Sequence, residues 1–334
     1  MRAGPLIRAA AVLGIVAAAC GTGGGPGPAV PATGASSSPE PSPAKAMWPL
    51  RGTEAPSADA TKRRPIVVRV PNDPSARPQS GLAQADIVFE MLVEGGLTRY
   101  AVVFHSQDAD KVGPIRSARL SDLQLTPMLR GILVHVGAQQ QTLERIRDAA
   151  RRGDFVDLDQ FARADAFDRV TDRPAPQNVY TSTKRIRDAA REAAKVDVPA
   201  LAFGDSPATG KDAGTLVVPY AGDTRVTYEA AANGFKRTQG GAQTEVMPAN
   251  VVVIKTDITE VAGYIEDELG SRSLDIRSTG EGVVVVLTGG KRYDGKWSRS
   301  GNDQFRFMDG SGAEIRLRPG LTWIHVVPTS FDVT

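Results

Sequence analysis

Four arginines, Arg77, Arg99, Arg116 and Arg119, lie just outside two apolar runs, three of them next to Pro or Gly, where the backbone is stiff or sharply turned. Guanidinium groups fixed in this way can grip carboxylate or phosphate oxygens with paired, charge-assisted hydrogen bonds. Glu90 and Glu94 are interleaved with them and can orient the arginines around a ligand. The same carboxylates can equally pair with the arginines in a purely structural network, and the sequence leaves both roles open. Two carboxylates can also hydrolyse a glycoside. Four residues along a strand separate their Cα atoms by about 13 Å, however, beyond the roughly 5–9.5 Å between carboxyl groups that such chemistry uses. Ser117 sits among the arginines as a candidate helix cap, whose first-turn N–H groups would add to an anion pocket.

The elements that must hold these residues can be read around them. Two apolar runs, Ile87–Val93 and Tyr100–Phe104, flank the glycine pair and predict a β-hairpin. Alternation puts Ile87, Phe89, Met91 and Val93 on one face, and Asp86, Val88, Glu90, Leu92 and Glu94 on the other. Further strands are expected at Ile66–Val70 and Ile132–Val136, with helices over Arg119–Leu129, Gln139–Arg152 and Thr183–Lys195. The second of these is amphipathic through Leu143, Ile146 and Ala150, and Ser182 is placed to cap the third.

Beyond a small polar segment the chain changes character. Short β-type runs are expected at Leu216–Tyr220, Arg225–Tyr228, Gly234–Thr238, Val251–Lys255, Val283–Leu287, Gln304–Phe307, Glu314–Leu317 and Thr322–Val327, with one helix at Thr259–Leu269. The predicted organisation is an α/β or α+β domain over 64–204, a linker over 205–214, and a mainly β domain over 215–334. Residues 21–63, rich in Gly, Pro, Ser and Ala, read as a flexible tether. Trp48-Pro49-Leu50 within it is either an incidental apolar spot or a first docking contact.

The chain begins as an export signal does. Arg2 and Arg8 precede an apolar segment, Ala9–Ala19, that is too short to span a hydrocarbon core of about 30 Å, and small residues then lead to Cys20. Residues 1–20 are therefore read as a lipoprotein signal peptide, with Cys20 as the lipidated residue and the product held on the extracytoplasmic face of the cell membrane. Two or more acyl chains, of the palmitate type, give stable attachment. Cys20 is the single cysteine of the 334 residues, so once it carries lipid no disulfide and no catalytic thiol remain.

A formal net charge of +2, with acidic and basic residues interspersed, offers no footprint for a nucleic acid. Gly-x-Ser-x-Gly, Walker A, His-Glu-x-x-His and dinucleotide-binding glycine motifs are missing from the sequence. His105, His135 and His325 each fall in or at the end of an apolar run and read as packed or rim histidines. Asp108 with Asp110, and Asp157 with Asp159, read as turn carboxylates, so no metal and no cofactor are expected.

Longer motifs carry a family resemblance. They are Ala76-Arg77-Pro78-Gln79-Ser80-Gly81-Leu82, Ala85-Asp86-Ile87-Val88 with Glu90, Glu94-Gly95-Gly96 with Thr98-Arg99, Gly113-Pro114-Ile115-Arg116-Ser117-Ala118-Arg119 and Asn178 to Ser182. In the second half Asn250-Val251-Val252-Val253 and Pro319-Gly320-Leu321-Thr322-Trp323-Ile324 join them. Together they resemble the YerB-like bacterial lipoproteins, the DUF3048 family. The resemblance implies an envelope location and two domains, and it supplies no reaction. Gln177, where the family is expected to carry His, and Ala138, where it is expected to carry Gly, depart from the pattern. The reading that follows is a membrane-anchored lipoprotein that binds or scaffolds an anionic or polar envelope component, a glycan, a peptide or a protein. The ligand-binding candidates are Arg77, Arg99, Arg116, Ser117, Arg119, Glu90 and Glu94. The alternatives are a wall-acting hydrolase or transferase using Asp86 or Glu90, or a pure protein-interaction module.

Overall fold

The expected hairpin forms, and both of its faces are buried. Strand β2 (Ile87–Leu92) pairs antiparallel with β3 (Thr98–Phe104) across a turn at Glu94–Gly96. Gly95 and Gly96 adopt φ of 69° and 73°, a left-handed conformation that a side chain would strain. These positions belong to a computed structural model that describes residues 45–266 and 270–334, together with 21, 23–25 and 27. Cys20, and with it the signal-peptide and lipidation reading, lies outside the described residues.

The hairpin is the middle of an eleven-stranded sheet. On one side β3 pairs with β1 (Ile66–Pro71), which pairs parallel with β4 (Ile132–His135), which pairs parallel with β5 (Val156–Asp159). On the other side β2 pairs parallel with Thr322–Pro328. The sheet then continues through Asn250–Thr256, Gly280–Thr288, Lys291–Arg299 and Arg306–Asp309. Strands from both halves of the sequence therefore form one sheet, and each of the two large apolar clusters mixes residues of both halves. The segment expected as a linker over 205–214 takes part: Lys211–Asp212 pairs with Arg292 and Lys291, and Ala213 is buried. The first half is mixed α/β and the second mostly β.

Alternation along the strands decides what each face carries. Val88, Tyr100, Val102, Val251, Val253 and Trp323 point to a face covered by a second, four-stranded sheet made of Thr215–Val218, Val226–Ala231, Gly234–Gln239 and Ala242–Gln243. Ile87, Phe89, Met91, Ala101, Val252 and Ile324 point to the opposite face, where α1 (Asp122–Leu129) supplies Leu125, Met128 and Leu129. Helix α2 (Gln140–Arg151) buries Ile146 and Ala149 against Leu133 and Phe155.

Several expectations are corrected. The first helix begins at Asp122 rather than Arg119, so Ser117 caps nothing. α3 covers Thr183–Ala189, with the Ser182 side chain capping it as expected but the helix stopping earlier. In place of the helix expected at Thr259–Leu269, Ile258–Ile265 is a strand paired with Arg272–Ile276, and 267–269 lie outside the described residues. Glu314 and Leu317 make only isolated bridges, to Met308 and Phe203. The tether, expected through residue 63, ends earlier: Trp48 and Leu50 are buried, and Leu50 joins the α1-side cluster.

Candidate functional site

Arg99, Arg116 and Arg119 converge on one open cavity of about 480 Å³, with Glu94 and Ser117 in its wall. The backbone between β3 and α1 explains the convergence. Arg116 N–H donates to the Arg69 carbonyl and Ala118 N–H to the Gly137 carbonyl, while Val136 N–H donates to the Arg116 carbonyl. This extended segment is tied to the ends of β1 and β4, which fixes where Arg116 and Arg119 begin. The Asp122 carboxylate accepts from Arg119 N–H at 2.8 Å. The convergence expected at a Ser117 helix cap is thus produced by an extended strut, with the Ser117 carbonyl accepting from Arg99 Nη1 at 2.9 Å.

Charge in the cavity is densely but unevenly paired. Arg119 grips Glu94 with two hydrogen bonds, Nε to Oε2 at 2.8 Å and Nη2 to Oε1, and lies 3.5 Å from the Glu266 carboxylate. Burial would raise the Glu94 pKa, but the Arg119 hydrogen bonds and the charges of Arg119 and Arg99 overcome it and hold the carboxyl at about 2. At Arg99, burial and the neighbouring guanidinium of Arg119 work against the cationic form, only partly relieved by Glu94. Arg99 Nε has no hydrogen-bond partner. The Arg116 guanidinium is half-buried and has no hydrogen bond or ion pair among the described residues; burial lowers its pKa, and the charges of Asp73 and Glu94 only partly offset this.

The sequence reading missed some of this wall. Asp73, Gln139 and Glu266 also line the cavity, and Asp73 is itself held by Gln177 Nε2 at 3.2 and 3.3 Å. Gln177, noted as a departure from the family pattern, thus acts on the cavity through Asp73. Fully buried Arg69 stands behind it, 3.3 Å from Asp122. A lone arginine in the apolar run Ile66–Val70 was the available signal for it. Glu266 comes from a distant hairpin and had none.

Glu90 and Arg77 belong elsewhere. Pairing of Glu90 with Arg99, Arg116 or Arg119 was one open possibility, but Arg99 points to the α1 side of the sheet and Glu90 to the other. Its carboxylate is fully buried. Oε1 accepts from Thr98 Oγ1 at 3.0 Å and Asn72 Nδ2 at 3.2 Å, and Oε2 accepts from Trp323 Nε1 at 2.9 Å and Arg237 Nη2 at 3.0 Å. Glu90 sits opposite His325 on one neighbouring strand and Tyr100 on the other. The His325 ring lies between the Tyr228 and Tyr220 hydroxyls, at 2.8 and 3.3 Å, and burial holds its pKa well below the usual range. Arg77 donates to the Asn72 carbonyl at 2.7 Å and lines a separate cavity above this network. Asp86, the other carboxylate considered for catalysis, is buried and accepts from the His105 and Ser106 N–H groups and the Ser106 hydroxyl.

Residues 50–196 match the DUF3048 N-terminal domain and residues 216–324 the DUF3048 C-terminal domain, each described as a protein of unknown function. The chain belongs to the DUF3048 family. It is 33% identical over 295 residues to a Bacillus subtilis protein described as "Putative lipoprotein YerB", covering 84% of this chain and 86% of that one. The crystal structure of YerB from Bacillus subtilis superposes with a TM-score of 0.72 at 28% identity, covering 87% of this chain and all of that one. No helix among the described residues is long and apolar enough to cross a membrane.

Proposed function

We propose that this DUF3048 protein is a lipoprotein held on the extracytoplasmic face of the membrane through Cys20, and that it binds an anionic or polar envelope component in the cavity of Arg99, Arg116 and Arg119. The name of the Bacillus relative and the lipobox-like end of the first twenty residues support the anchor. One observation carries the binding reading: Arg116 presents a guanidinium with no hydrogen bond or ion pair among the described residues, in a cavity where Arg119 is tied to Glu94. A ligand oxygen there would gain a charge-assisted hydrogen bond, worth about 1.5–3 kcal/mol.

Thermal unfolding tests the binding. Against a panel of wall fragments, anionic glycans and phosphorylated compounds, a ligand of the native state raises the melting temperature. The shift is lost in Arg116→Ala, whose own unfolding stays close to that of the parent because no hydrogen bond is removed. A shift that survives Arg116→Ala refutes the assignment. Retention of Cys20→Ala in the membrane fraction refutes the anchor.

A further inference from the structure

The second cavity, of about 490 Å³, is built from both halves of the chain and has a different chemistry. At its floor lie Tyr100, Trp323, Arg237 and Gln239, all at least nine-tenths buried. Arg237 stacks over the Trp323 ring, with its guanidinium carbon 4.3 Å from the ring centroid. Its Nε donates to the Tyr228 hydroxyl at 3.3 Å, and its Nη2 donates to Glu90 and the Tyr100 hydroxyl. Nη1 has no hydrogen bond among the described residues. Gln239 Oε1 accepts from the Tyr100 hydroxyl at 3.0 Å, while Gln239 Nε2 has no partner. Arg77, in the wall, spends Nε and Nη2 on Asn72 and leaves Nη1 without a hydrogen bond among the described residues. What the cavity leaves unsatisfied on these three side chains is donors only.

Burying a donor without an acceptor costs about 1–3 kcal/mol; Gln239 Nε2 is such a donor, and together with the Nη1 groups of Arg77 and Arg237 facing the same space it calls for a ligand rich in acceptors. The charges narrow the class. Arg237 is neutralised by Glu90 behind it, whereas Arg77 makes no ion pair among the described residues, so the inner end favours a single negative charge. The exposed carboxylates of Asp223 and Glu245 also line the cavity and disfavour a multiply charged anion such as phosphate. They accept N–H donors instead. Pro78, Leu82 and Val246 add apolar wall. A cavity of this volume with few convergent polar groups on a partly apolar surface is what small-molecule sites share.

We infer that this cavity binds the free carboxylate end of a short peptide, with the carboxylate against Arg77, Arg237 and Gln239 and the peptide's N–H groups toward Asp223 and Glu245. This site is independent of the Arg116 cavity.

Calorimetric titration of the chain from residue 20 onward, carrying Cys20→Ala, with alanyl-leucine and alanyl-alanyl-leucine and with their carboxamides tests it. The acids bind saturably and the carboxamides at least about tenfold more weakly, the factor that loss of one charge-assisted hydrogen bond gives. Ala242→Trp, an exposed position at the cavity, abolishes binding without touching the buried network. Arg77→Leu weakens binding about tenfold or more, and Arg116→Ala leaves it unchanged. Equal binding of acids and carboxamides, binding by Ala242→Trp at the parent's strength, or no saturable heat from any of the peptides at millimolar concentration overturns the inference. Loss of binding in Arg116→Ala with Ala242→Trp unaffected would move the peptide to the first cavity.

Discussion

Glu90 and Arg237 are separated by 147 positions in sequence, yet Arg237 Nη2 donates to Glu90 Oε2 at 3.0 Å with neither side chain more than 1% exposed. The pair joins the DUF3048 N-terminal segment to the C-terminal one at the centre of the fold. Desolvating two charges costs several kcal/mol, which their attraction and added hydrogen bonds must offset. Here the offset is broad, because Glu90 also accepts from Thr98, Asn72 and Trp323.

Removing one member therefore leaves the other as an uncompensated buried charge. Glu90→Leu leaves Arg237 buried without its counter-ion, and a loss of about 3–5 kcal/mol is expected. Arg237→Met should cost a similar amount. The double variant is expected to be less destabilised than the sum of the two, a coupling readable in a double-mutant cycle of urea midpoints. Strict additivity would mean that the pair does not act as a unit.

Glu94 sets an acid limit. Its folded pKa of about 2 lies below the ordinary value of 4.5, so its contribution is fully present above pH 4.5 and is lost as pH falls toward 2. The 14% exposure of its side chain calls for little discount, and the difference corresponds to roughly 3 kcal/mol. Glu94→Gln should be less stable at neutral pH by about that amount and should lose the steep part of the decline between pH 4.5 and 2. A denaturation series over that range reads both effects, and an unchanged slope would exclude Glu94 as its source.

His105 acts in a separate window. Burial and then the charge of Arg63 push its pKa down to about 4 from 6.5, its ring nitrogens have no hydrogen-bond partners, and its ring meets Trp48 edge-on at 4.9 Å. The unfolded state binds the proton more readily than the folded one, so stability falls as pH drops from 6.5 to 4, by about 3 kcal/mol in all. His105→Phe keeps the ring contact and removes the proton. Its decline across that window should be shallower than the parent's, and a variant that still declines there as the parent does would assign the slope to another group.

Local chemistry made the hairpin legible: alternating apolar residues around Gly95-Gly96 fix both strands and the turn. Arg99, Arg116 and Arg119 were legible as site candidates for the same reason, but whether they converge was not, since that depends on the strut tying Arg116 and Ala118 to Arg69 and Gly137. The partners of Glu90 were not, because Trp323, 233 positions away, comes from the strand paired with β2, and Arg237, 147 positions away, comes from the four-stranded sheet packed on that face. Alternation did carry one clue that the charge-pairing argument overrode: Glu90 and Arg99 sit one step out of phase across the hairpin, Met91 being opposite Arg99. The helix expected at Thr259–Leu269 is instead largely strand Ile258–Ile265, whose pairing with Arg272–Ile276 no local pattern announced. Lys291–Arg299 was passed over as a strand because charged residues fill its exposed positions.

Leu50 tests where the folded unit begins. It is fully exposed in a reading that extends the tether to residue 63, but in the structure it is completely buried in the α1-side cluster, while Met47 nearby is half-exposed. Leu50→Ala should cost about 2–5 kcal/mol, the range for truncating a packed leucine. Met47→Ala should stay within about 0.5 kcal/mol of the parent, as surface changes do. The neighbouring backbone reinforces the docking, with Leu201 N–H donating to the Pro49 carbonyl at 2.9 Å and the Arg51 side chain donating to the Ala85 carbonyl at 2.8 Å. A fragment starting at Ala44 should therefore unfold as the longer chain does, and one starting at Lys62 should unfold at a lower temperature. Equal melting of the two fragments would show that residues 45–61 contribute nothing to stability and would return Leu50 to the tether.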